Sequence, residues 1–151
     1  MKVLLVCSSG GHFKATQQLS TFWQSHPRCW VTFRTPTTES VLTEEKVYWA
    51  YSPTNRNLPN LCRNLFLALK VLFSERPDLI ITTGAGVAVP FLIVGKLLGS
   101  QTVFIESVTR VTNLSLSAKL TLPFLTTLYV NWPQLQTRYP QAELILLHEK
   151  A

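Results

Sequence analysis

Twice in this chain an unbroken apolar run ends in a glycine-rich turn that leads into helical periodicity, and that repeated unit restricts the fold more than any other feature. Val3 to Cys7 stops at Ser8-Ser9-Gly10-Gly11-His12, and Leu79 to Thr83 stops at Gly84-Ala85-Gly86. An apolar run without polar alternation reads as a strand covered on both faces, as in a parallel sheet flanked by helices. Right-handed crossovers then bring both turns to the carboxyl edge of the sheet, where open α/β sheets bind their ligands. The expectation is an α/β fold, a Rossmann-like parallel sheet with helices on both faces.

The remaining segments fit that scheme. Leu19, Phe22 and Trp23 recur at helical spacing between Lys14 and about Gln24, and Pro27 closes that element. Cys29 to Arg34 and Val47 to Tyr51 are β-branched and aromatic and read as strands, with a short helix within Thr37 to Glu45. The polar stretch Ser52 to Asn57 is a loop before the helix Leu61 to Arg76, where Leu61, Leu65, Leu69 and Leu72 mark one face. A core helix ends near Gly99, a strand runs from Gln101 to Ile105, and Thr109 to Leu125 is helical as far as Pro123 permits. Thr127 to Asn131 reads as a strand, Trp132-Pro133 opens a helix that Pro140 ends, and Glu143 to Leu147 follows.

At 151 residues the expectation is a single domain spanning 1–151. A composition of 46% hydrophobic and 15% charged residues suits a packed core and argues against disorder. The net charge of +6 suits a phosphate-bearing partner or an anionic membrane, but no Lys/Arg run exceeds a pair, which disfavours nucleic acid. Cys7, Cys29 and Cys62 are too few and too far apart for a zinc site and read as buried thiols in a reducing compartment. No signal peptide fits before Val3, and Ala85 to Leu98 is shorter than the roughly 20 residues a span requires, so a cytosolic protein lying on the membrane is expected.

Glycines let backbone approach a ligand closely, and amides at a helix start suit a phosphate, which makes Ser9, Gly10 and Gly11 candidate binding residues. The G-x-G-x-x-G spacing and the Gly-Lys-Ser/Thr ending of a P-loop are both absent, arguing against a nicotinamide, flavin or P-loop enzyme. His12 is either a general base toward a sugar hydroxyl or a helix-start residue holding the loop. Thr83, Gly84 and Gly86 repeat the arrangement on a neighbouring strand, or simply permit a tight turn. Glu106, Ser107 and Arg110 lie at the same edge and could hold sugar hydroxyls or phosphate; alternatively Glu106 and Arg110 form a surface pair worth little. The helix Leu61 to Arg76 is a buried crossover or an amphipathic surface for a membrane interface, with Arg63 and Lys70 on lipid phosphates.

Taken in order, Ser8-Ser9-Gly10-Gly11-His12, Thr83-Gly84-Ala85-Gly86 with Val89-Pro90 behind it, Phe104 to Val111 and Asn131 to Pro140 resemble the asparagine-linked glycosylation protein 14 family and its bacterial PssD/EpsE-type relatives of exopolysaccharide and capsule synthesis. The resemblance covers essentially the whole chain, and its last two motifs are the specific ones. It implies the amino-terminal half of a GT-B glycosyltransferase, similar to that half of MurG. It further implies a separate donor-sugar-binding subunit as partner, a lipid-diphosphate-linked saccharide as acceptor, and a UDP-sugar donor carrying GlcNAc or another hexose. It implies transfer with inversion and without metal or cofactor, and the expectation is a chain inactive alone and docked on the inner face of the cell membrane. A non-catalytic scaffold that stabilises and recruits the catalytic partner is the alternative.

By the resemblance, Gly10, Gly11 and His12 match the first loop, Gly84 and Gly86 the second, and Glu106 the glutamate after the following strand, with His12 and Glu106 as the catalytic candidates. Two departures stand out. The amino-terminal membrane anchor of the eukaryotic relatives is not seen, and Ala85 stands where MurG-like loops carry glycine.

Overall fold

Val3 to Cys7 is buried along its whole length, as expected of a strand flanked on both sides by hydrogen-bonded neighbours and on both faces by helices. The computed structural model describes residues 1–54 and 57–145. Its strands are β1 (Val3–Cys7), β2 (Arg28–Phe33), β3 (Val47–Ala50), β4 (Leu79–Gly84), β5 (Gln101–Ile105), β6 (Thr127–Val130) and β7 (Glu143–Leu144). They form one sheet in the order β3-β2-β1-β4-β5-β6-β7, every pairing parallel. The order reverses between β1 and β4. That is the switch point of a doubly wound sheet, and it is where both glycine turns emerge.

The helices are α1 (Gly11–Gln17), α2 (Ser20–Trp23), α3 (Pro36–Val41), α4 (Leu58–Glu75), α5 (Ala88–Leu97), α6 (Leu116–Thr121) and α7 (Pro133–Arg138). Alternate residues of β1 feed two cores. Val3, Leu5 and Cys7 pack with Phe13, Trp23, Trp30 and Leu42, whereas Leu4 and Val6 pack with Ala68, Val71, Phe91, Leu92, Ala118 and Leu135. The sheet is thus covered on both faces by helices, the Rossmann-like arrangement that the two glycine turns imply.

Several boundaries differ from the sequence pattern, each for a local reason. The helix expected from Lys14 to Gln24 breaks into α1 and α2 because the Thr16 carbonyl accepts the Trp23 indole N–H at 2.9 Å and the Leu19 amide at 3.1 Å. Thr109 to Leu125 is helical only from Leu116, followed by a 3-10 turn at Leu122–Phe124. Before Leu116 the chain is held by Glu106, whose carboxylate accepts from the Ser115 amide and hydroxyl. β7 is two residues long, and residues 146 and 147 of the expected strand lie outside the described residues.

α4 combines the two readings of this helix, the buried crossover and the amphipathic surface. Leu61 and Leu65 do not face the core; they are exposed, with Leu58 and Phe66, while Asn60, Asn64, Ala68, Val71, Leu72 and Glu75 are buried. The buried polar groups all have work at the sheet edge. Asn64 Oδ1 accepts from the Tyr51 amide at 2.9 Å and its Nδ2 donates to the Tyr51 carbonyl at 3.0 Å, replacing the missing neighbour of the chain just beyond β3. Asn60 Nδ2 donates to the Pro53 carbonyl, and Tyr48 donates its hydroxyl to Glu75 at 2.9 Å. Cys62, expected to be buried, is exposed on this same helix, whereas Cys7 and Cys29 are buried.

Candidate functional site

The first turn of α1 is set by Gly10, whose φ of 84° lies in the left-handed region that glycine enters without strain. It delivers His12 to the switch point, where Nδ1 lies 2.9 Å from the Thr83 carbonyl. A carbonyl can only accept, so Nδ1 carries a proton, and in the neutral imidazole the lone pair is then on Nε2. The His12 backbone is held as tightly: its carbonyl accepts from Thr83 Oγ1 at 2.6 Å and from Thr16 Oγ1 at 3.0 Å. The two hydroxyls are also 2.8 Å apart.

The ring rests against Gly84, where a Cβ would come within 2.9 Å of His12 Cε1. Gly84 has φ 129° and Ala85 φ 84°, so the second turn carries an alanine in the conformation that the glycine of MurG-like loops would take without strain. Thr16 escaped the sequence reading. Its only signal was position, one helical turn after His12 on the same face.

Glu106 leaves the end of β5 and is 2% exposed. One carboxylate oxygen accepts from the Ser107 amide at 3.0 Å; the other accepts from the Ser115 amide at 2.8 Å and hydroxyl at 2.9 Å. Both oxygens are therefore engaged in closing the loop from 107 to 115. Among the described residues no ion pair joins Glu106 to Arg110, whose exposed guanidinium has no hydrogen-bond partner there.

Two clefts meet at His12. The smaller, about 420 Å³, runs between α1 and the loop after β5 and is lined by His12, Lys14, Gln18, Thr83, Ser107 and Thr109. The larger is an open groove of about 960 Å³. Its polar floor carries Glu106, Ser107, Thr109, Arg110, Ser115 and Ser117, and its walls carry Leu58, Leu61, Val89, Leu116 and Leu120. Leu58 and Leu116 are 69% and 71% exposed, so the walls present bare hydrocarbon.

Of the residues singled out from sequence, His12, Gly86, Glu106, Ser107 and Arg110 line this groove, and Gly11 and Thr83 line the smaller cleft. Ser9, Gly10 and Gly84 line neither; Gly10 shapes the turn and Gly84 makes room for the His12 ring. Lys14, Leu116 and Leu120 were not anticipated as parts of a site, because a lone lysine or leucine carries no motif, whereas Leu61 belongs to the helix that one reading gave to a membrane interface.

Burial pushes the Cys7 and Cys29 thiols up to about 11, against which the Thr16 and Thr32 hydroxyls at Cys7 only partly compensate. Neither thiol is a nucleophile at neutral pH. Among the described residues no cluster of three His, Cys, Asp or Glu is placed to hold a metal ion, and no helix is long and apolar enough to cross a membrane.

Comparison with known proteins supplies the rest. Residues 52–147 match a family model described as "Oligosaccharide biosynthesis protein Alg14 like". A Schizosaccharomyces pombe protein named "UDP-N-acetylglucosamine transferase subunit alg14" is 42% identical over 74 residues, 46% of this chain and 35% of that protein. The Homo sapiens protein named "UDP-N-acetylglucosamine transferase subunit ALG14" is 31% identical over 85 residues, 52% of this chain and 39% of its own length. Each match therefore covers little more than a third of the relative. Among solved structures, Acinetobacter baumannii MurG superposes with a TM-score of 0.67 at 18% identity, over 87% of this chain and 41% of that one. A UDP-GlcNAc 2-epimerase from Methanocaldococcus jannaschii gives 0.70 at 15% identity, over 99% and 43%. Those two likenesses establish the fold, which corresponds to about two-fifths of each larger chain.

Proposed function

The chain belongs to the Alg14-like family of oligosaccharide biosynthesis proteins, and from that premise we propose that it is the acceptor-binding and membrane-docking subunit of a two-component inverting glycosyltransferase. The reaction moves a sugar, GlcNAc or another hexose, from a UDP-sugar held by a separate donor subunit to a lipid-diphosphate-linked saccharide, in exopolysaccharide or capsule synthesis at the inner face of the cell membrane.

The observation that carries this reading is the continuity of the larger groove. A hydroxyl-rich floor with Arg110 passes into leucine walls, matching an acceptor whose anionic head is joined to a hydrocarbon tail. Arg110 offers the diphosphate a guanidinium without an internal ion pair, and Ser107 and Thr109 offer hydroxyls. Leu58, Leu61, Leu116 and Leu120 meet the lipid. On α4, Leu65 and Phe66 extend the apolar surface outward, with Arg63 and Lys70 for anionic headgroups.

At the inner end of the groove, His12 Nε2 takes the proton from the acceptor hydroxyl as that oxygen attacks the anomeric carbon. The bond to UDP breaks on the opposite face, which inverts the configuration. Glu106 acts as a positioning group that fixes the loop bearing Ser107 and Arg110, and the Thr83 carbonyl fixes the histidine tautomer.

The test is sugar transfer from UDP-GlcNAc, UDP-Gal and UDP-Glc to a polyprenyl-diphosphate-sugar, by this chain alone and with a co-expressed donor subunit. Transfer only by the pair is the expected outcome; transfer by the chain alone overturns the two-component reading. The saturation of Glu106 by loop donors favours one second reading, a scaffold whose partner holds all the catalytic groups. His12→Ala separates the two. Loss of about 10²–10⁴ in kcat with the complex intact is expected of a general base, and unchanged turnover would establish the scaffold.

A further inference from the structure

The two most specific motifs of the sequence, Phe104 to Val111 and Asn131 to Pro140, are one physical unit. β5 and β6 are adjacent and parallel, so their ends emerge side by side, and three side chains of the second motif donate to carbonyls of the loop that follows β5. Asn131 Nδ2 donates to the Glu106 carbonyl at 2.9 Å, Trp132 Nε1 to the Val108 carbonyl at 2.7 Å, and Arg138 Nη1 to the Thr112 carbonyl at 3.2 Å. The carboxylate of Glu106 closes the same loop from inside through the Ser107 and Ser115 amides.

Nothing about the sheet requires this arrangement. A connection of this length on the surface is held by a turn hydrogen bond or two and is otherwise solvated. Here the Arg110 amide makes one such turn bond to the Ser107 carbonyl at 3.0 Å, and three long-range donors are added to it. Asn131 is fully buried, and its Oδ1 has no hydrogen-bond partner among the described protein groups. Its N–H meets the Glu106 carbonyl inside the protein, where a lost hydrogen bond leaves a buried acceptor without its partner.

We propose that Asn131, Trp132 and Arg138 are positioning residues that clamp the loop from Glu106 to Thr112 and so set Arg110, Ser107 and Thr109 against the acceptor diphosphate. The proposal rests on the acceptor-site reading above. Binding energy at such a loop depends on how much order is already present before the ligand arrives, and the clamp supplies that order from a neighbouring strand end rather than from the ligand.

Trp132→Phe keeps an aromatic side chain but exchanges the indole for a smaller ring without the N–H; Arg138→Ala alters an exposed side chain and leaves the core untouched. Both are made in the complex with the donor subunit, and two quantities are measured: hydrogen exchange of amides 107–113, and the separate KM values for acceptor and UDP-sugar. In both variants exchange in the loop should quicken while that of β1 and β4 stays unchanged. The acceptor KM should rise about tenfold for Trp132→Phe, the equivalent of about 1.4 kcal/mol, with the KM for UDP-sugar and kcat unchanged. Unchanged loop exchange in both variants overturns the clamp. Faster exchange with an unchanged acceptor KM overturns its role toward the acceptor. If the wild-type complex transfers no sugar, the functional reading above falls, and loop exchange alone then decides whether the clamp exists.

Discussion

The Nδ1 atom of His12 faces a carbonyl oxygen and its ring packs against a residue with no side chain, so both the proton on Nδ1 and the position of this histidine are imposed by β4. Gly84 is where that control can be tested without touching the histidine. A methyl group there would sit 2.9 Å from His12 Cε1, in a backbone conformation with φ 129°. Gly84→Ala should therefore push the ring off the Thr83 carbonyl and lower kcat of the assembled transferase about 100-fold, the scale on which a displacement of about 1 Å at a reacting group is felt. The check is a kinetic comparison in which binding of the donor subunit is measured alongside. Retained turnover would mean that the position of the ring is immaterial to the chemistry. The sequence showed the two glycine turns and His12, because turn chemistry is local. It did not show that Thr16, Thr83 and His12 share hydrogen bonds, since that requires knowing that the turns after β1 and β4 are neighbours.

At the level of elements, α4 is the instructive case. Its leucines at helical spacing do not share one environment: Leu61 and Leu65 are exposed, Leu69 is half-buried and Leu72 is buried. Leu61 and Leu65 look outward while Asn60, Asn64 and Glu75 look in, because the neighbouring edge of the sheet needs hydrogen-bond partners more than it needs hydrocarbon. A one-dimensional pattern cannot tell an apolar face that meets a core from one that meets something else. The reversal gives opposite expectations for the two faces. Leu61→Asp with Phe66→Asp should abolish binding to vesicles containing anionic lipid while changing thermal stability by less than about 0.5 kcal/mol, as for other exposed positions. Asn64→Leu should cost about 1–3 kcal/mol by leaving the Tyr51 amide and carbonyl without their partners, and should leave vesicle binding intact in whatever remains folded. Flotation and thermal melts check both. By contrast, β1, β2, β4 and β5 were legible within a residue or two, because β1 and β4 are buried along their whole length and β2 and β5 over most of theirs.

Across the whole molecule the two ends of the sheet do different work. The carboxyl edge carries the clefts; near the other end, Glu75 at the close of α4 gathers Lys2, Lys46 and Tyr48 at 2.7, 2.5 and 2.9 Å. Burial alone would raise the carboxyl, but the hydrogen bonds from Lys2, Lys46 and Tyr48 outweigh it and hold the group at about 2. A folded-state value below the unfolded one stabilises the protein above the ordinary carboxylate range, and that contribution is lost as pH falls from about 4.5 toward 2. The wild-type melting temperature should drop across that window. In Glu75→Gln the drop attributable to this group should vanish, with about 2–3 kcal/mol already missing at pH 7; a parallel pH profile for the two proteins would sink the assignment. The outward-facing leucines and phenylalanines of α4 bear on the whole molecule in another way. On the membrane-docking reading proposed above, a chain with this outer face partitions between solution and interface as an amphiphile does. On that reading, the membrane area within reach, and not synthesis alone, sets how much of it stands in working position.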